Sequence, residues 1–267
     1  MHPMLTTAIK AARRAANLIQ RASHNLDLIR PDQKGPNDYV SEVDRAAEAA
    51  IIEVIREAYP QHAFLGEESG AQRLGESEYE WIIDPLDGTT NYLHGYPQYA
   101  ISIALVHRGQ ITQAVVYDPN RNDLFTASKG SGAFLNDRRI RAARRIQLAE
   151  ALLVTGFPYS NLQHLDLYLA TLGDMIRKSS GVRREGAAAL DLCYVACGRA
   201  DGFWEFGLKP WDIAAGCLLI TEAGGLVSDL AGGDTHLKTG NLVGGTPKVF
   251  SQILQVIDSH RTPTLQA

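Results

Sequence analysis

Residues 81–91, WIIDPLDGTTN, decide how this chain is interpreted, because an apolar run ends abruptly in two carboxylates, a glycine and two hydroxyls. The apolar part predicts a buried strand that delivers Asp84 to its carboxyl end. Pro85 fixes the backbone there, and Asp87 follows three residues after Asp84. Gly88 lets the backbone approach a ligand closely, and the two threonines could open a helix whose free N–H groups cradle a phosphate. Asp-Pro and Asp-Gly are also ordinary turn dipeptides, so the segment alone predicts a turn as readily as a site.

Other carboxylates lie at the boundaries of predicted elements elsewhere in the chain. Glu67 and Glu68 follow a short apolar stretch, Asp212 opens a run of small and apolar residues, and Asp44 begins a helical pattern. Gathered without a cation, such groups would repel one another and raise each other's pKa, and a pair of divalent ions would relieve that repulsion. Oxygen ligands suit Mg²⁺ or Mn²⁺, whereas the histidines are scattered without ligand spacing. We therefore predict a hard-metal site.

Composition limits the class of protein. The chain has 267 residues, is 45% hydrophobic and carries a net charge of −4, which argues against a general nucleic-acid-coating protein. Three cysteines do not make a disulfide framework, and a reducing cytoplasm is the expected location. The N-terminus lacks a signal-peptide pattern, and no segment is apolar enough to predict a membrane span. We expect one domain, with a possible division into two halves near residue 147.

Hydrophobic periodicity predicts a compact α+β arrangement of helices layered on sheets. The predicted helices are 4–22, 44–59, 164–178, 187–198, 211–223 and 248–259. The predicted strands are 63–65, 80–83, 99–107, 111–117, 123–128, 151–154, 200–206, 226–228 and 242–243. Residues 31–38 are predicted to form a loop or hairpin turn, residues 70–80 a polar surface loop, and the arginine-rich run 138–145 a solvated strand end or loop.

One alternative chemistry is excluded by spacing. Residues 86–89, LDGT, resemble the nucleophile loop of haloacid-dehalogenase-type phosphatases, which needs two aspartates separated by one residue. Here the residue two before Asp87 is Pro85, so the attacking carboxylate of that covalent mechanism is missing. A metal-activated water is the better nucleophile.

Taken together, these segments resemble the inositol monophosphatase family, and its bacterial inositol-1-monophosphatase branch most closely. The resemblance covers nearly the whole chain, in order. It is carried by residues 66–69 (GEES), 81–91, 186–191 (GAAALD), 209–216 (KPWDIAAG), 222–225 (EAGG) and 240–241 (GN). It implies a layered α-β-α-β-α sugar-phosphatase sandwich.

The resemblance also implies a role for each matching position. The implied metal ligands are Glu67, Asp84, Asp87, Asp212 and the backbone carbonyl of Leu86. The implied catalytic residues are Thr89, Asp44 and Glu67, with Thr89 held by Asp44 to orient the attacking water. The implied substrate-binding residues are Asp87, Gly88, Thr89, Gly186, Ala187, Ala188, Glu205 and Asp212, the amides of Gly88 and Thr89 holding phosphate. Lys34 and Asp38 match a mobile loop that helps to hold a third, weaker metal.

The function implied is hydrolysis of inositol monophosphate with two or three Mg²⁺ ions per site, Mn²⁺ being an alternative, and inhibition by lithium. Other phosphate esters handled by the same chemistry are fructose 1,6-bisphosphate, 3′-phosphoadenosine 5′-phosphate and histidinol phosphate. A bisphosphate would call for additional Arg or Lys near the pocket, whereas residues 186–191 and Glu205 are small or acidic, which favours a neutral polyol. The resemblance further implies a homodimer and, as a different class of function, a partner of RNA polymerase in transcription antitermination. The arginine-rich run 138–145 and Arg183-Arg184 are compatible with such a contact but do not require it.

Overall fold

The computed structural model describes residues 2–35, 38–73, 75–159 and 162–260, and of residues 34, 35 and 38 it describes the backbone only. The helices are α1 (Pro3–Ala22), α2 (Glu42–Ala58), α3 (Thr89–Leu93), α4 (Leu165–Lys178), α5 (Ala188–Ala196), α6 (Pro210–Glu222), α7 (His236–Thr239) and α8 (Pro247–Asp258). The strands are β1 (Asp32–Gly35), β2 (Asp38–Val40), β3 (Ala63–Gly66), β4 (Gly70–Gln72), β5 (Tyr79–Asp87), β6 (Ala100–His107), β7 (Gln110–Asp118), β8 (Asp123–Ser128), β9 (Gly132–Leu135), β10 (Arg138–Arg139), β11 (Leu152–Thr155), β12 (Gly181–Arg183), β13 (Gly202–Glu205), β14 (Leu226–Ser228) and β15 (Leu242–Gly245). Short 3₁₀ turns occupy Ser23–Leu28, Leu148–Glu150 and Leu162–His164.

Two large sheets organise the chain. The first has eight strands in the order β10-β9-β8-β7-β6-β5-β3-β4, antiparallel throughout except for the parallel pair β3 and β5. The second has five strands in the order β12-β11-β13-β15-β14, with β11 parallel to both of its neighbours. Strands β1 and β2 form a separate hairpin, as predicted for residues 31–38. The predicted division near residue 147 falls between the strands of the two large sheets.

Helices lie on both faces of each sheet, which gives five layers. Helices α1 and α2 pack on one face of the eight-stranded sheet, and α5 and α6 fill the space between the two sheets. Helices α4 and α8 cover the outer face of the five-stranded sheet. Because α5 and α6 meet neighbours on every side, their sequences are apolar all round, whereas α1 carries a polar outer face. The predicted α-β-α-β-α arrangement is confirmed.

Short strands are where the prediction was wrong. Residues 70–80 were expected to form a surface loop, but they contain β4 and the first residues of β5. Strand β4 is three residues long and pairs with β3, so its structure depends on a tertiary partner rather than on a local pattern. The arginine-rich run was predicted correctly, because exposed β10 ends the sheet and the chain then continues without regular structure. No helix within the described ranges is long and apolar enough to cross a membrane.

Candidate active site

Strand β5, which lies inside the eight-stranded sheet, places two of the predicted ligands at its carboxyl end. It continues to Asp87, whereas the sequence predicted an end at Asp84 and Pro85. Asp84 lies opposite Ser102 and Asp87 opposite Ala100, so the pairing shifts between them and forms a bulge. A bulge tolerates Pro85, which has no N–H to donate, and it redirects the side chains beside it. The buried Asp84 carboxylate accepts the Leu86 N–H at 2.9 Å.

Gly88 makes the sharp turn from this strand into α3. Its φ is +94°, in the left-handed region that favours glycine. An added Cβ would lie 2.8 Å from the Gln98 carbonyl oxygen, so a larger residue would displace the backbone. Thr89 begins α3, as predicted, and the N–H groups of its first turn have no partner within the helix. The turn therefore presents backbone donors beside two carboxylates.

Asp44 and Thr89 meet as predicted, although they are 45 residues apart in sequence. Asp44 lies in the first turn of α2, where its Oδ2 accepts the Ser41 N–H at 2.9 Å and the Ser41 hydroxyl at 2.6 Å. Its Oδ1 accepts the Thr89 hydroxyl at 2.9 Å, and the same hydroxyl lies 3.1 Å from the Leu86 carbonyl oxygen. The capping box of α2 thus fixes the orientation of a side chain on α3.

Glu67 follows β3, and its N–H donates to the Ile83 carbonyl at 3.1 Å, which ties it to β5. A residue that sequence reasoning missed holds the rest of this turn. The carboxylate of Glu48 on α2 is 2% exposed and accepts the N–H groups of Glu68 and Ser69, each at 2.9 Å. Its place on the inward face of an amphipathic helix, where an acid is rarely left unpaired, is the signal that could have identified it.

Asp212 lies in the first turn of α6, after Pro210, and its Oδ2 accepts the Lys209 N–H at 2.7 Å. Glu205 ends β13, with its side chain 9% exposed. The Glu205 carboxylate packs against Gly156, where an added Cβ would come within 2.0–2.3 Å of it. Gly156 is therefore a second residue of the site that the sequence did not identify.

The turn before α5 closes the site from the opposite half of the chain. The Ala189 N–H donates to Asp87 Oδ2 at 2.7 Å. The Asn91 amide donates to the carbonyl oxygens of Glu185 and Gly186, at 2.9 and 3.2 Å. Gly186 has a φ of +86°, so the predicted segment 186–188 adopts a turn that glycine permits. These bonds bring the two halves of the chain together at the carboxylates.

The carboxylates affect one another's pKa, which indicates that they lie close together. Burial raises the pKa of Asp84 well above its usual range, and the charges of Glu67, Asp87 and Asp212 raise it further. Burial raises the pKa of Asp87 to about 7, against the lowering effect of the Ala189 N–H. Among the described residues, no three His, Cys, Asp or Glu side chains lie close enough together to hold one ion. The all-oxygen donors and their mutual repulsion nevertheless fit Mg²⁺ or Mn²⁺.

The sequence model of the inositol monophosphatase family matches residues 1–262. The chain belongs to the inositol monophosphatase family. A solved inositol monophosphatase from Anabaena (Nostoc) sp. PCC 7120 superposes with a TM-score of 0.86 at 37% identity and covers 98% of each chain. The extragenic suppressor protein suhB of Bartonella henselae superposes with a TM-score of 0.93 at 42% identity, covering 96% of this chain and 98% of that one.

Two curated relatives of this inositol monophosphatase family member carry a different kind of name. A protein of Neisseria meningitidis serogroup B, named putative Nus factor SuhB, is 56% identical over 260 residues, which is 97% of this chain and all of that protein. The Nus factor SuhB of Escherichia coli K12 is 50% identical over 254 residues, 95% of each chain. Proteins similar to this chain are thus named both as inositol monophosphatases and as Nus factors.

Two adjoining pockets contain the site of this family member. The outer pocket, of about 550 Å³, is lined by residues that include Glu67, Gly88, Thr89 and Arg184. The inner pocket, of about 140 Å³, is lined by Asp87, Gly156, Arg184, Gly186, Ala187, Ala188, Asp191, Glu205, Leu208 and Asp212. The substrate-binding residues predicted from the resemblance therefore line these two adjoining pockets. A larger groove along α2, of about 730 Å³, contains none of the predicted ligands.

The side chains of Lys34 and Asp38, matched to a third metal, lie outside the described residues. Arg184 lines both pockets, although the sequence assigned it no place in the site. The inner pocket therefore contains an arginine in addition to the small and acidic residues 186–191 and Glu205, on which the preference for a neutral polyol was based. The sequence could not show that Arg184 lines the pockets, because the orientation of its side chain depends on aromatic side chains from another segment.

Proposed function

We propose that the protein hydrolyses inositol monophosphate to inositol and phosphate with Mg²⁺ as its metal. The observation that carries this proposal is that Glu67, Asp84, Asp87 and Asp212, from three separate segments, act on one another's charge beside the glycine turn that begins α3. Family membership supports the same reaction class. The resemblance adds sensitivity to lithium as an expected property.

The four carboxylates and the Leu86 carbonyl would hold the metal. Bound Mg²⁺ activates water for attack and neutralises charge on a phosphate ester. The protein supplies orientation. The Thr89 hydroxyl proton is directed at Asp44, so the oxygen of Thr89 is left to accept a hydrogen bond from the attacking water. The N–H groups of Gly88 and Thr89 are placed to bind phosphate oxygens, and because the donors are fixed before substrate arrives they need little reorganisation.

The inner pocket provides the polyol end of the site. Glu205 and Asp212 offer acceptors for hydroxyl groups, and Ala187 and Ala188 leave room beside them. A carboxylate accepts several hydroxyl hydrogen bonds, and an unmatched hydroxyl is costly to bury, so a polyol suits this wall better than an apolar alcohol. Phosphate esters of other sugars remain alternative substrates, because the metal chemistry is common to them.

Phosphate release tests the proposal. Purified protein should hydrolyse inositol 1-phosphate with Mg²⁺ and lose activity with a chelator. Asp87→Asn and Asp212→Asn should lower kcat/KM by roughly 100-fold or more, in line with the loss of a metal ligand. Asp27→Asn is the matched control, because Asp27 is an exposed aspartate on the surface. Turnover that persists in the chelator, or near-normal turnover of the Asp87→Asn variant, would refute the proposal.

We propose a second function, in transcription antitermination, on a separate observation: relatives 50–56% identical to this chain are named Nus factors. Its partner would be RNA polymerase or a complex assembled on it. Hydrolysis and binding would use different surfaces, since Asp87 and Asp212 line a small inner pocket and Asp84 is buried.

A pull-down with RNA polymerase tests this second function. Wild type and Asp87→Asn should both retain polymerase, because the substitution alters the cleft and not the outer surface. Absence of polymerase from both pull-downs would exclude the interaction. Loss from Asp87→Asn alone would show that binding depends on the intact metal site, contrary to the proposal of separate surfaces.

A further inference from the structure

A further cavity, here called the α1 cavity, lies beside the first turn of α1, on the face of the eight-stranded sheet that α1 covers. It has a volume of about 520 Å³ and is lined by His2, Leu5, Gln113, Thr126, Ser128, Lys129, Ser131, Phe134 and Asp137. These residues are all different from the described residues that line the two pockets of the candidate active site. A concave space of this size with apolar walls and a few polar groups is typical of a small-molecule site.

Two buried polar side chains face the α1 cavity. Gln113 lies two residues before Val115 on β7, so both side chains are on the same face of the sheet, and Val115 packs in the apolar core beneath α1. Thr126 on β8 is paired with Val115 and with Phe134 of β9, which places it on that face as well. Gln113 and Thr126 are each only 6% exposed. Polar groups buried this deeply are expected to have hydrogen-bond partners.

The protein supplies those partners only in part. The Oε1 atom of Gln113 accepts the Ser128 hydroxyl at 2.5 Å. Within the ranges that the structure describes, the Nε2 atom of Gln113 and the hydroxyl of Thr126 have no hydrogen-bond partner. Both atoms remain accessible rather than sealed, so they open into the cavity that their residues line. A ligand in the α1 cavity would find two fixed polar groups that the fold leaves unpaired.

The surroundings favour a ligand that accepts hydrogen bonds and carries negative charge. The Nδ1 atom of His2 accepts the Met4 N–H at 3.2 Å, so a neutral ring carries its proton on Nε2 and can donate it. Lys129 adds an exposed ammonium group, and the first turn of the 20-residue helix α1 has no acidic residue to neutralise its positive end. Asp137 is the one acid among the described lining residues, and it is exposed in the turn between β9 and β10. Donors therefore outnumber acceptors.

We propose that the α1 cavity binds a small organic anion, which consists of an oxyanion attached to an apolar body. The Thr126 hydroxyl, the Gln113 amide and the Lys129 ammonium bind the oxyanion by charge-assisted hydrogen bonds. Leu5 and Phe134 contact the apolar body, because they form the apolar wall of the cavity. This binding is separate from the proposed hydrolysis and does not depend on it.

Calorimetric titration of the full chain with phenylphosphonate, benzoate and benzyl alcohol tests this proposal. The three probes share an aromatic body and differ in the head group. Every titration contains a chelator, so that no metal attracts the anions to the carboxylates of the candidate active site. At least one anion should bind saturably and roughly ten-fold more tightly than the neutral alcohol. The comparison of phenylphosphonate with benzoate shows whether the preferred head group is a phosphate or a carboxylate.

Variants assign the binding to the α1 cavity. Thr126→Val removes the hydroxyl with little change in volume and should weaken anion binding roughly ten-fold, whereas Thr126→Ser keeps a hydroxyl and should bind like wild type. Lys129→Met should also weaken anion binding several-fold, and this exposed side chain is not needed for folding. Thr112→Val is the matched control, because the Thr112 hydroxyl donates to the Leu105 carbonyl at 3.2 Å and Thr112 does not line the cavity.

Three results would overturn the proposal. Equal binding of the anions to wild type, Thr126→Val and Lys129→Met would show that they bind elsewhere. Benzyl alcohol that binds as tightly as the anions would show that the cavity selects only the apolar body. Absence of saturable binding up to about 10 mM would exclude a specific site. If Thr126→Val lowers Tm markedly, Lys129→Met decides the assignment.

The outcome is independent of the proposed hydrolysis. Thr126→Val should release phosphate from inositol 1-phosphate at the wild-type rate, because Thr126 lines neither pocket of the candidate active site. Selective anion binding by a protein without phosphatase activity would support the α1 cavity and refute only the proposed hydrolysis. Normal phosphatase activity without anion binding would do the reverse.

Discussion

Glu48 offers a direct test of how the fold positions a metal ligand. Its carboxylate is 2% exposed and accepts two backbone N–H groups at 2.9 Å, from Glu68 and Ser69. Glu48→Gln replaces one acceptor oxygen with an NH₂ group, so one of these bonds is lost. A hydrogen bond to a charged group contributes about 1.5–3 kcal/mol, and water can reach this partly exposed turn, so we expect a loss of about 2 kcal/mol in unfolding free energy. For a chain of this size that lowers Tm by roughly 5 °C.

The same substitution should weaken metal binding, because Glu67 immediately precedes the two bonded amides. Residues that hold a ligand in place typically change metal affinity by 10–100-fold, and we expect the Mg²⁺ concentration for half-maximal phosphate release to rise about ten-fold. Urea unfolding and a Mg²⁺ titration measure the two effects. Glu53→Gln is the control, since Glu53 is on the same helix but pairs with Arg14 on the surface, where ion pairs contribute about 0–1 kcal/mol. If Glu48→Gln matches Glu53→Gln in both measurements, the reasoning is wrong.

Three further predictions concern the pocket, the pH dependence and the surface. Gly156→Ala should push the Glu205 carboxylate aside and raise KM for inositol 1-phosphate roughly ten-fold, with little change in Tm. Gly173→Ala is the control and should leave KM unchanged, because its added Cβ meets only the end of an arginine side chain. Burial raises the pKa of Asp229, but hydrogen bonds from the Thr235 hydroxyl and from the backbone N–H groups of residues 231, 233 and 235 outweigh burial and lower this pKa from its usual 3.8. Asp229→Asn should therefore lower the free energy of unfolding by about 2 kcal/mol at pH 7. In urea unfolding, the difference from wild type should shrink as the pH falls below about 4, where Asp229 becomes protonated. On one face of α4, Leu169 and Ile176 are 51% and 59% exposed, and we expect them to form part of the dimer contact. Ile176→Asp should then shift the molecular mass measured by light scattering towards that of the monomer. An unchanged mass would exclude this face.

The sequence predicted the long elements well because each carries its own local signal. The run 81–91 encodes a buried strand, a bulge-forming proline and a left-handed glycine within a few residues, and each of these fixes the backbone locally. Helices α1 and α6 were likewise predicted within a residue or two from their periodicity or their caps. The roles assigned to individual residues came from the family resemblance and remain predictions.

The sequence could not predict contacts between residues that lie far apart along the chain. The bonds from Glu48 to residues 68 and 69 and the packing of Gly156 against Glu205 join segments that no local pattern connects. The place of Arg184 is decided by two aromatic rings more than 20 residues earlier in the chain. Strand β4 was missed for the same reason, because its three residues become a strand only by pairing with β3.

Both halves of the chain contribute residues to the candidate active site. The Ala189 N–H that holds Asp87 lies 102 residues away, beyond the division predicted near residue 147. Asp212 and Glu205 also come from the second half, whereas Glu67, Asp84 and Thr89 come from the first. A fragment ending near residue 147 would keep three of the four acidic ligands but lose Asp212 and the amide that orients Asp87. Because Asp212 and the N–H that orients Asp87 both come from the second half, docking of the halves should complete the metal site. Ligands that bind the cleft should then stabilise both halves together.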